Sequence, residues 1–347
     1  MIFHAIGLMS GTSLDGLDIC FAKFEKGHSW SFEIIKAETV SYSENLYNDL
    51  KHAIDLSAEQ LLELHSAYGF FLGQTVKRFI ENHEIKNVDL IASHGHTVYH
   101  QPQKKFTLQI GDGRAIKLET GIPVVYDFRS QDVLMNGNGA PLVPIGDELL
   151  FCEYDACLNL GGFSNISLQS EGKRIAFDIA PVNIVLNKLA QYLGKDFDEN
   201  GDLAKKGTIH ASLLSSLNSL EFYHQPHPKS LGIEWCNENI FPLFEDVAHI
   251  DAIATFTEHA AHQIAEVINK NHLKNVLFTG GGTYNDYLIE KIRDKTQAKI
   301  IIPEKEIIDF KEALIFALMG ILRLNNEINV LASATGSAAD HCSGIIA

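Results

Sequence analysis

Positive charge is scarce in this chain. Its 347 residues include 28 Lys and Arg against 44 Asp and Glu, a formal net charge of −16 at pH 7. A surface of that sign repels a nucleic-acid backbone or an anionic membrane, so neither is expected as a main partner. A nucleotide is not excluded, because one local turn can bind phosphate through backbone N–H groups whatever the global charge. Cysteine is sparse as well: Cys20, Cys152, Cys157, Cys236 and Cys342 are odd in number, scattered, and form no CxxC pair. That pattern excludes a disulfide scaffold and fits buried thiols in a reducing compartment. Long apolar runs are missing; the longest, Ala313 to Leu322, is too short to cross a bilayer. The N-terminus has neither the basic start nor the apolar core of a signal peptide, so the expected location is the cytoplasm. Two nucleotide motifs are also absent. No GxxxxGK[ST] occurs, which excludes a Walker-type loop, and no GxGxxG follows a strand, which leaves a dinucleotide fold without support.

What is present is a normal globular balance, 46% hydrophobic and 21% charged, on a length that predicts about two domains. The most informative stretch is AIGLMSGTSLDGLDICFAKF, Ala5 to Phe24. It reads as a strand, a polar turn (Ser10, Gly11, Thr12, Ser13, Leu14, Asp15, Gly16) and a returning strand from Leu17. Glycines let the backbone approach an anion, Thr12 and Ser13 add hydroxyl donors, and Asp15 or Asp18 can hold waters of a magnesium ion. An ordinary hairpin turn facing solvent would look the same in isolation. ACLNLGGFSNISLQ, Ala156 to Gln169, then repeats the grammar: strand, turn with Gly161 and Gly162, returning strand. Each half of the chain therefore opens with a hairpin whose turn can touch phosphate, as expected of two related α/β domains facing a shared cleft.

Between and after these hairpins the pattern alternates. Helices are predicted over Ala58–Glu81, Arg114–Glu119, Ile184–Leu193, Ala248–Asn271 and Glu312–Leu324. Strands are predicted over Ser31–Val40, Val88–Ala92, Phe106–Ile110, Pro123–Tyr126, Arg174–Phe177, Val276–Thr279 and Ile300–Ile302, several ending in polar tips such as Ser93-His94-Gly95-His96-Thr97. Gly137 to Pro141 marks a boundary, because its glycines do not support an element interior and Pro141 and Pro144 stop regular structure. The expected domains are therefore 1–140, joined by 336–347, and 141–335. After Val276–Thr279 come Gly280, Gly281 and Gly282, a strand-to-helix junction open to close approach by a ligand.

Hairpin turn, second hairpin turn, then strand-Gly-Gly-Gly-helix is the order found in the actin/hexokinase/Hsp70-like ATPases, which the chain resembles. MSGTSLDGLD, SHGHTVYH, LQIGDGRAI, DFRSQDV, GAPLVP, LNLGGFSNIS, TGGGTYN and LASATG occur in this order. Over nearly its full length the chain thereby resembles the anhydro-N-acetylmuramic acid kinases. The resemblance implies a two-lobed fold of duplicated ribonuclease H-like domains with a central cleft. It implies a cytoplasmic enzyme of peptidoglycan recycling that opens the 1,6-anhydro ring with water and phosphorylates O6 with ATP, giving N-acetylmuramic acid 6-phosphate. ATP would lie on Gly11 to Gly16, Gly161, Gly162 and Gly280 to Gly282, with Mg2+ held through its phosphates near Asp15 rather than by a direct metal motif. Members of the family commonly form dimers, so a homodimer is compatible with the resemblance.

The family's catalytic aspartate opens a motif like Asp-Thr-Gly-Pro-Gly-Asn, and the matching residues here are Asp178-Ile179-Ala180-Pro181-Val182-Asn183. Asp178 is the expected general base. Ile179, Ala180 and Val182 depart from the motif and are expected to narrow the space beside it. Lys229-Ser230-Leu231-Gly232 departs too, where the family has threonine before the glycine. These departures keep open a kinase of a different amino sugar or sugar acid, or a catalytically weak sugar sensor. Ser10, His96, Arg129, Asn183 and Glu312 are the substrate-binding candidates. Each has a plainer alternative: His94, His96 and His100 as a metal cluster, Arg129 as a surface ion pair, Glu312 as a first-turn helix acid.

Overall fold

The computed structural model describes residues 1–11 and 14–347. Its strands in the first part of the chain are β1 (Ile2–Ser10), β2 (Leu17–Lys26), β3 (Trp30–Val40), β4 (Leu90–Gln101), β5 (Phe106–Ile110) and β6 (Val124–Tyr126). They are followed by β7 (Ala156–Leu160), β8 (Phe163–Ser170), β9 (Lys173–Pro181), β10 (Asn275–Thr279), β11 (Lys299–Ile301) and β12 (Ile345–Ile346). The chain divides into two compact units, Met1–Phe151 with Phe310–Ala347, and Cys152–Asp309.

The first unit holds a seven-stranded sheet in the order β12-β6-β4-β1-β2-β3, with β5 folded back on β4. β1, β2 and β3 form an antiparallel meander, β4 lies parallel to β1, and β6 parallel to β4. Side chains alternate across a strand, and here the alternation sorts two helices onto opposite faces. Ile6, Leu8, Ile19, Phe21 and Ile91 pack with Tyr68, Leu72, Val76 and Phe79 of the helix Ala58–Asn82. That helix starts on a reciprocal cap between Ser57 and Gln60, which satisfies two of its terminal N–H groups. On the other face Gly7 has no side chain because it has no room for one. A Cβ there would lie 1.8 Å from the carbonyl oxygen of Ala313, so the helix Lys305–Leu324 rests directly on β1.

The second unit holds a five-stranded sheet in the order β11-β10-β7-β8-β9. Its wiring matches the first: an antiparallel meander β7-β8-β9, then β10 parallel to β7 and β11 parallel to β10. Its core joins Leu158, Ile166 and Phe278 of the sheet to Leu186 and Leu189 of the helix Asn183–Tyr192 and to Ile253, Phe256 and Ile264 of the helix His249–Lys270.

Four expectations change. The first unit continues past the glycine-rich 137–141 stretch to Phe151, and the returning segment begins at Phe310 rather than at 336. Pro144 begins a helix, Pro144–Leu150, since proline suits a first turn whose N–H groups have no helical partner. β4 extends to Gln101 because β5 pairs back along its second half, so His94, His96 and His100 lie within a strand. The helix predicted from Glu312 starts at Lys305, which places Glu312 in its interior.

Candidate active site

In the first unit Ser10, the last residue of β1, lies beside His96 of β4. Ser10 Oγ and His96 Nδ1 are 3.1 Å apart, and the Tyr42 hydroxyl donates to Ser10 Oγ at 2.7 Å. The Tyr42 proton is thereby used, so Tyr68, whose hydroxyl is 2.9 Å from that of Tyr42, must donate to it. The hydrogen-bond direction is then fixed from Tyr68 through Tyr42 to Ser10, whose oxygen also lies against His96 Nδ1. Burial holds the His96 ring neutral down to a pKa of about 4.

Two residues earlier, His94 is held in the same state. Its Nδ1 is 2.8 Å from the carbonyl of Gly95, which makes that nitrogen the donor. Its Nε2 accepts from Arg129 Nε at 2.9 Å. Burial, then the Arg129 charge, push the His94 pKa well below the ordinary imidazole value. Arg129 Nη1 also donates to the Gly139 carbonyl at 2.5 Å, so the guanidinium is fixed at two points. Burial lowers Arg129 to about 10, and the charges of Glu312 and Asp132 oppose the shift. The loop that accepts from Arg129 is itself anchored. Fully buried Asp132 accepts from Gly139 N and from Thr335 Oγ1, each at 2.7 Å. Glu312 reaches this region because Gly7 lets its helix lie on β1. Desolvation by the surrounding protein raises the carboxyl of Glu312, although the residue is exposed to water, and Arg129 and Lys311 counter the rise.

The geometry gives each of these residues specific neighbours. His94 is committed to Gly95 and Arg129, His96 to Ser10, and His100 Nδ1 lies 3.2 Å from Thr107 Oγ1. Among the described residues no group of three or more His, Cys, Asp or Glu is arranged to hold a metal. Arg129 binds a histidine and a carbonyl rather than pairing at the surface. Glu312 is no first-turn acid. Of the first turn, Thr12 and Ser13 lie outside the described residues; Leu14 N donates to Gly11 O at 3.2 Å, and Asp15 is exposed. Gly16 packs against β3, where a Cβ would meet the Val40 carbonyl oxygen at 2.7 Å. Asp18 accepts from Thr39 Oγ1 at 2.6 Å.

In the second unit the glycines converge on the end of β7. The Gly162 carbonyl accepts from Val182 N at 2.8 Å and Ile184 N at 3.2 Å, and the Gly161 carbonyl from Asn183 N at 3.3 Å. Asn183 Nδ2 donates to the Leu160 carbonyl at 3.3 Å. Gly280 and Gly282 pack on the same residues: a Cβ on either would lie 2.9 Å from the Leu160 carbonyl oxygen, whereas one on Gly281 would meet nothing within 4 Å. The glycine run leads into a short 3-10 turn, Gly281–Tyr284, and the helix Asp286–Arg293 starts only after it, capped by Asn285.

Asp178 lies in β9 opposite Asn165, where a register shift leaves Ile179 as the extra residue before Ala180 pairs with Ser164. Its Oδ2 accepts from Leu231 N at 2.8 Å, and its own N–H donates to the Lys229 carbonyl at 3.0 Å. Burial raises its pKa, and the Leu231 N–H works against the rise. Ile179, Ala180 and Val182 all belong to the unit's hydrophobic core and are at most 1% exposed. Their side chains fill the core and do not narrow the space beside Asp178 as expected. Sequence reasoning missed Tyr42, Tyr68, Asp132 and Thr335, and read His94 only as a possible metal ligand. Thr335 lies in the quoted LASATG stretch and Asp132 in DFRSQDV, but nothing in the spacing joins the two.

A family model described as AnmK, anhydro-N-acetylmuramic acid kinase, matches residues 3–347. The chain belongs to the anhydro-N-acetylmuramic acid kinase family. An anhydro-N-acetylmuramic acid kinase of Francisella tularensis subsp. novicida is 35% identical, over 96% of this chain and 96% of that protein. One from Clostridioides difficile is 32% identical, over 96% and 95%. Among solved structures, component A of the Acidaminococcus fermentans (R)-2-hydroxyglutaryl-CoA dehydratase is 13% identical with a TM-score of 0.48, covering 92% of this chain and 97% of that one. A ROK family glucokinase from Streptomyces griseus, in complex with glucose and AMPPNP, is 11% identical with a TM-score of 0.42, covering 92% and 99%. Likeness of that degree carries no argument about chemistry. Family membership makes the chain a sugar kinase. The repeated meander-plus-parallel-strand wiring of its two units is that of the actin/hexokinase/Hsp70-like ATPase fold. Among the described residues, no helix is long and apolar enough to cross a membrane.

Proposed function

We propose that the chain phosphorylates 1,6-anhydro-N-acetylmuramic acid at O6 while opening the anhydro ring with water, and that Asp178 is the general base. The observation that carries this reading is the state of its carboxyl. One oxygen takes a backbone N–H, and burial raises its basicity. No Lys or Arg pairs with it among the described residues. Such a carboxylate can accept a proton at Oδ1. Asp178 takes a proton from water as the water oxygen attacks the anomeric carbon; the bond from that carbon to O6 breaks, and O6 becomes the phosphoryl acceptor. ATP with Mg2+ supplies the phosphoryl group, and transfer then needs positioning and charge neutralisation rather than further covalent chemistry.

Gly161, Gly162 and Gly281 fit a nucleotide, because a Cβ added at any of them would meet nothing closer than 3.2 Å, leaving backbone accessible to a ligand. The Gly11–Gly16 turn would hold phosphates from the first unit, with exposed Asp15 available to waters of magnesium. Ser10, His96, Arg129, Asn183 and Glu312 would bind the sugar, with the fixed Arg129 guanidinium suited to the lactyl carboxylate. This setting fits a cytoplasmic enzyme of cell-wall sugar recycling whose partner is a small sugar, and which works without nucleic acid or membrane.

The test is ATP turnover with 1,6-anhydro-N-acetylmuramic acid, with product mass and a no-sugar control. A product heavier by one phosphate and one water is expected. Turnover only with another amino sugar or sugar acid would overturn the substrate, and binding of sugar without any turnover would leave a sensor.

A further inference from the structure

Residues 227–232 contribute only the Leu231 N–H to the reaction described above, yet they are fastened to the acid at more than that one point. They join the short helix Glu221–His224 to the helix Ile233–Asn239. His227 stacks on Phe177, the residue before Asp178, with ring centroids 5.3 Å apart and planes at 16°. The Lys229 carbonyl accepts from Asp178 N, and Leu231 N donates to Asp178 Oδ2. Lys229 itself is half-buried. Its Nζ donates to the Phe222 carbonyl at 2.9 Å and sits 4.4 Å from the centre of the Phe222 ring. An ammonium gives up water for such a place only where carbonyl and ring together replace it.

The anchor behind Phe222 is itself hydrogen-bonded to a long helix. Fully buried His259 lies between Asn218 Oδ1, 2.6 Å from its Nδ1, and the Tyr223 hydroxyl, 2.9 Å from its Nε2. Gln263 Nε2 donates to the same Asn218 oxygen at 3.1 Å. Residues 218–223 are thus tied to the helix His249–Lys270, and Lys229 ties the 227–232 loop to them.

We infer that Lys229 is a positioning residue for Asp178: its ammonium fastens the loop whose Leu231 N–H holds Oδ2, and so leaves Oδ1 as the oxygen that meets water. This rests on the reading of Asp178 as the base. The Leu231 hydrogen bond favours the charged carboxylate and opposes burial. Loosening the loop therefore raises the pH at which Asp178 loses its proton, and moves the acid limb of kcat upward.

The experiment is the pH profile of kcat, with KM for ATP and sugar, for the full-length wild type, Lys229→Met, Lys229→Arg and Asp178→Asn. Lys229→Met is expected to move the acid limb up by roughly one pH unit, the worth of a weakened hydrogen bond to a carboxylate, with KM for ATP unchanged. Lys229→Arg, which keeps a donor for the carbonyl and a cation for the ring, is expected to restore part of that shift. An unmoved acid limb in Lys229→Met overturns the inference, whether kcat is normal or reduced. A raised KM for ATP with an unmoved limb also overturns it, since the lysine would then be serving the nucleotide. If Lys229→Met does not fold, His227→Ala removes the stacking contact instead and is expected to move the limb the same way by less; an unmoved limb there overturns the inference too. Wild-type turnover in Asp178→Asn would sink the reading of the base itself. A dead Asp178→Asn beside an unshifted Lys229→Met would sink only the positioning role.

Discussion

The meander β1-β2-β3 in the first unit and β7-β8-β9 in the second are the same construction, each continued by a strand parallel to its first member. Their turns differ. Six residues separate the paired Ser10 and Leu17, whereas three, Gly161 to Phe163, separate the paired Leu160 and Ser164. The long turn carries hydroxyls and an exposed acid, and side-chain chains such as Tyr68–Tyr42–Ser10–His96 start beside it. The short turn is made of backbone: its carbonyls receive the first N–H groups of the helix Asn183–Tyr192, and glycines crowd behind it. A duplicated scaffold has thus been furnished twice, with side-chain hydrogen bonds beside one turn and backbone hydrogen bonds at the other. Under the proposed function most of the sugar-binding candidates fall in the first unit and the base in the second, a division of labour that can be tested.

The largest effect should come from the acid. Asp178→Asn keeps the Leu231 N–H contact but removes the base, so kcat is expected to fall by about 10²–10⁴. The nucleotide dissociation constant, measured by calorimetry, should stay within a factor of about two to three, less than 1 kcal/mol. Loss of both together would mean that acid and turn in the second unit are not separable.

Next come the glycines behind the short turn. Gly280 has φ 85°, and a Cβ there would lie 2.3 Å from Asn159 Oδ1 and 2.9 Å from Leu160 backbone atoms. Gly280→Ala is expected to lower the unfolding free energy by about 2 kcal/mol or more, combining the cost of a positive-φ, extended backbone that is nearly restricted to glycine with overlap. Gly281→Ala should change stability by no more than about 0.5 kcal/mol, since a Cβ there meets nothing within 4 Å, yet raise KM for ATP under the proposed nucleotide placement. Urea denaturation read beside ATP kinetics separates the two. Equal behaviour of the two variants would mean that the glycine run is packing alone.

The sequence made the wiring legible because strand–turn–strand grammar is local, and it is written twice at Ala5 and Ala156. It also exposed Asp178, through a motif, and the glycines, through the turns they occupy. It misjudged where elements stop when a distant partner decides. β4 runs on because β5 returns along it, and the helix holding Glu312 starts early because the charged Lys305, Glu306 and Asp309 around Ile307 and Ile308 hid its first turns from an apolar reading. Ile179, Ala180 and Val182 read as intrusions into a site, but strand parity and the register shift beside Ile179 send them into the core. The Arg129 support was not legible at all. Asp132 and Thr335 are 203 residues apart in sequence, and only the fold brings them together.

That support predicts the third effect. Arg129 reaches His94 and Gly139 at once because its donors lie in one plane, a geometry lysine lacks. Arg129→Lys is expected to raise KM for the anhydro sugar about tenfold, the worth of one charge-assisted hydrogen bond, while KM for ATP stays put. A rise in KM for ATP instead would break the division of labour between the units.

The smallest effect compares how the two units respond to acid. His94 and His96 in the first and His259 in the second are each held neutral by burial. His94 also donates through Nδ1 to Gly95 and accepts at Nε2 from Arg129, an arrangement that only a neutral ring makes; His96 Nδ1 lies beside Ser10 Oγ, and His259 faces the Asn218 oxygen on one side and the Tyr223 hydroxyl on the other. Burial holds His96 at about 4 and His259 at about 3, and keeps His94 well below its ordinary value. The sign follows from linkage. In the unfolded chain each ring takes up a proton near pH 6.5, and in the folded chain it does not, so acidification favours unfolding. The stability these rings contribute is whole above pH 6.5 and drains as pH falls toward the folded values. Between pH 6.5 and 5.5 each should remove about 1 kcal/mol of unfolding free energy. His259→Gln, which keeps a hydrogen-bonding side chain but cannot titrate, should flatten the pH dependence by that amount in the second unit alone. If the dependence is unchanged, His259 is already charged in the folded protein, and the Asn218–His259–Tyr223 arrangement must be reassigned.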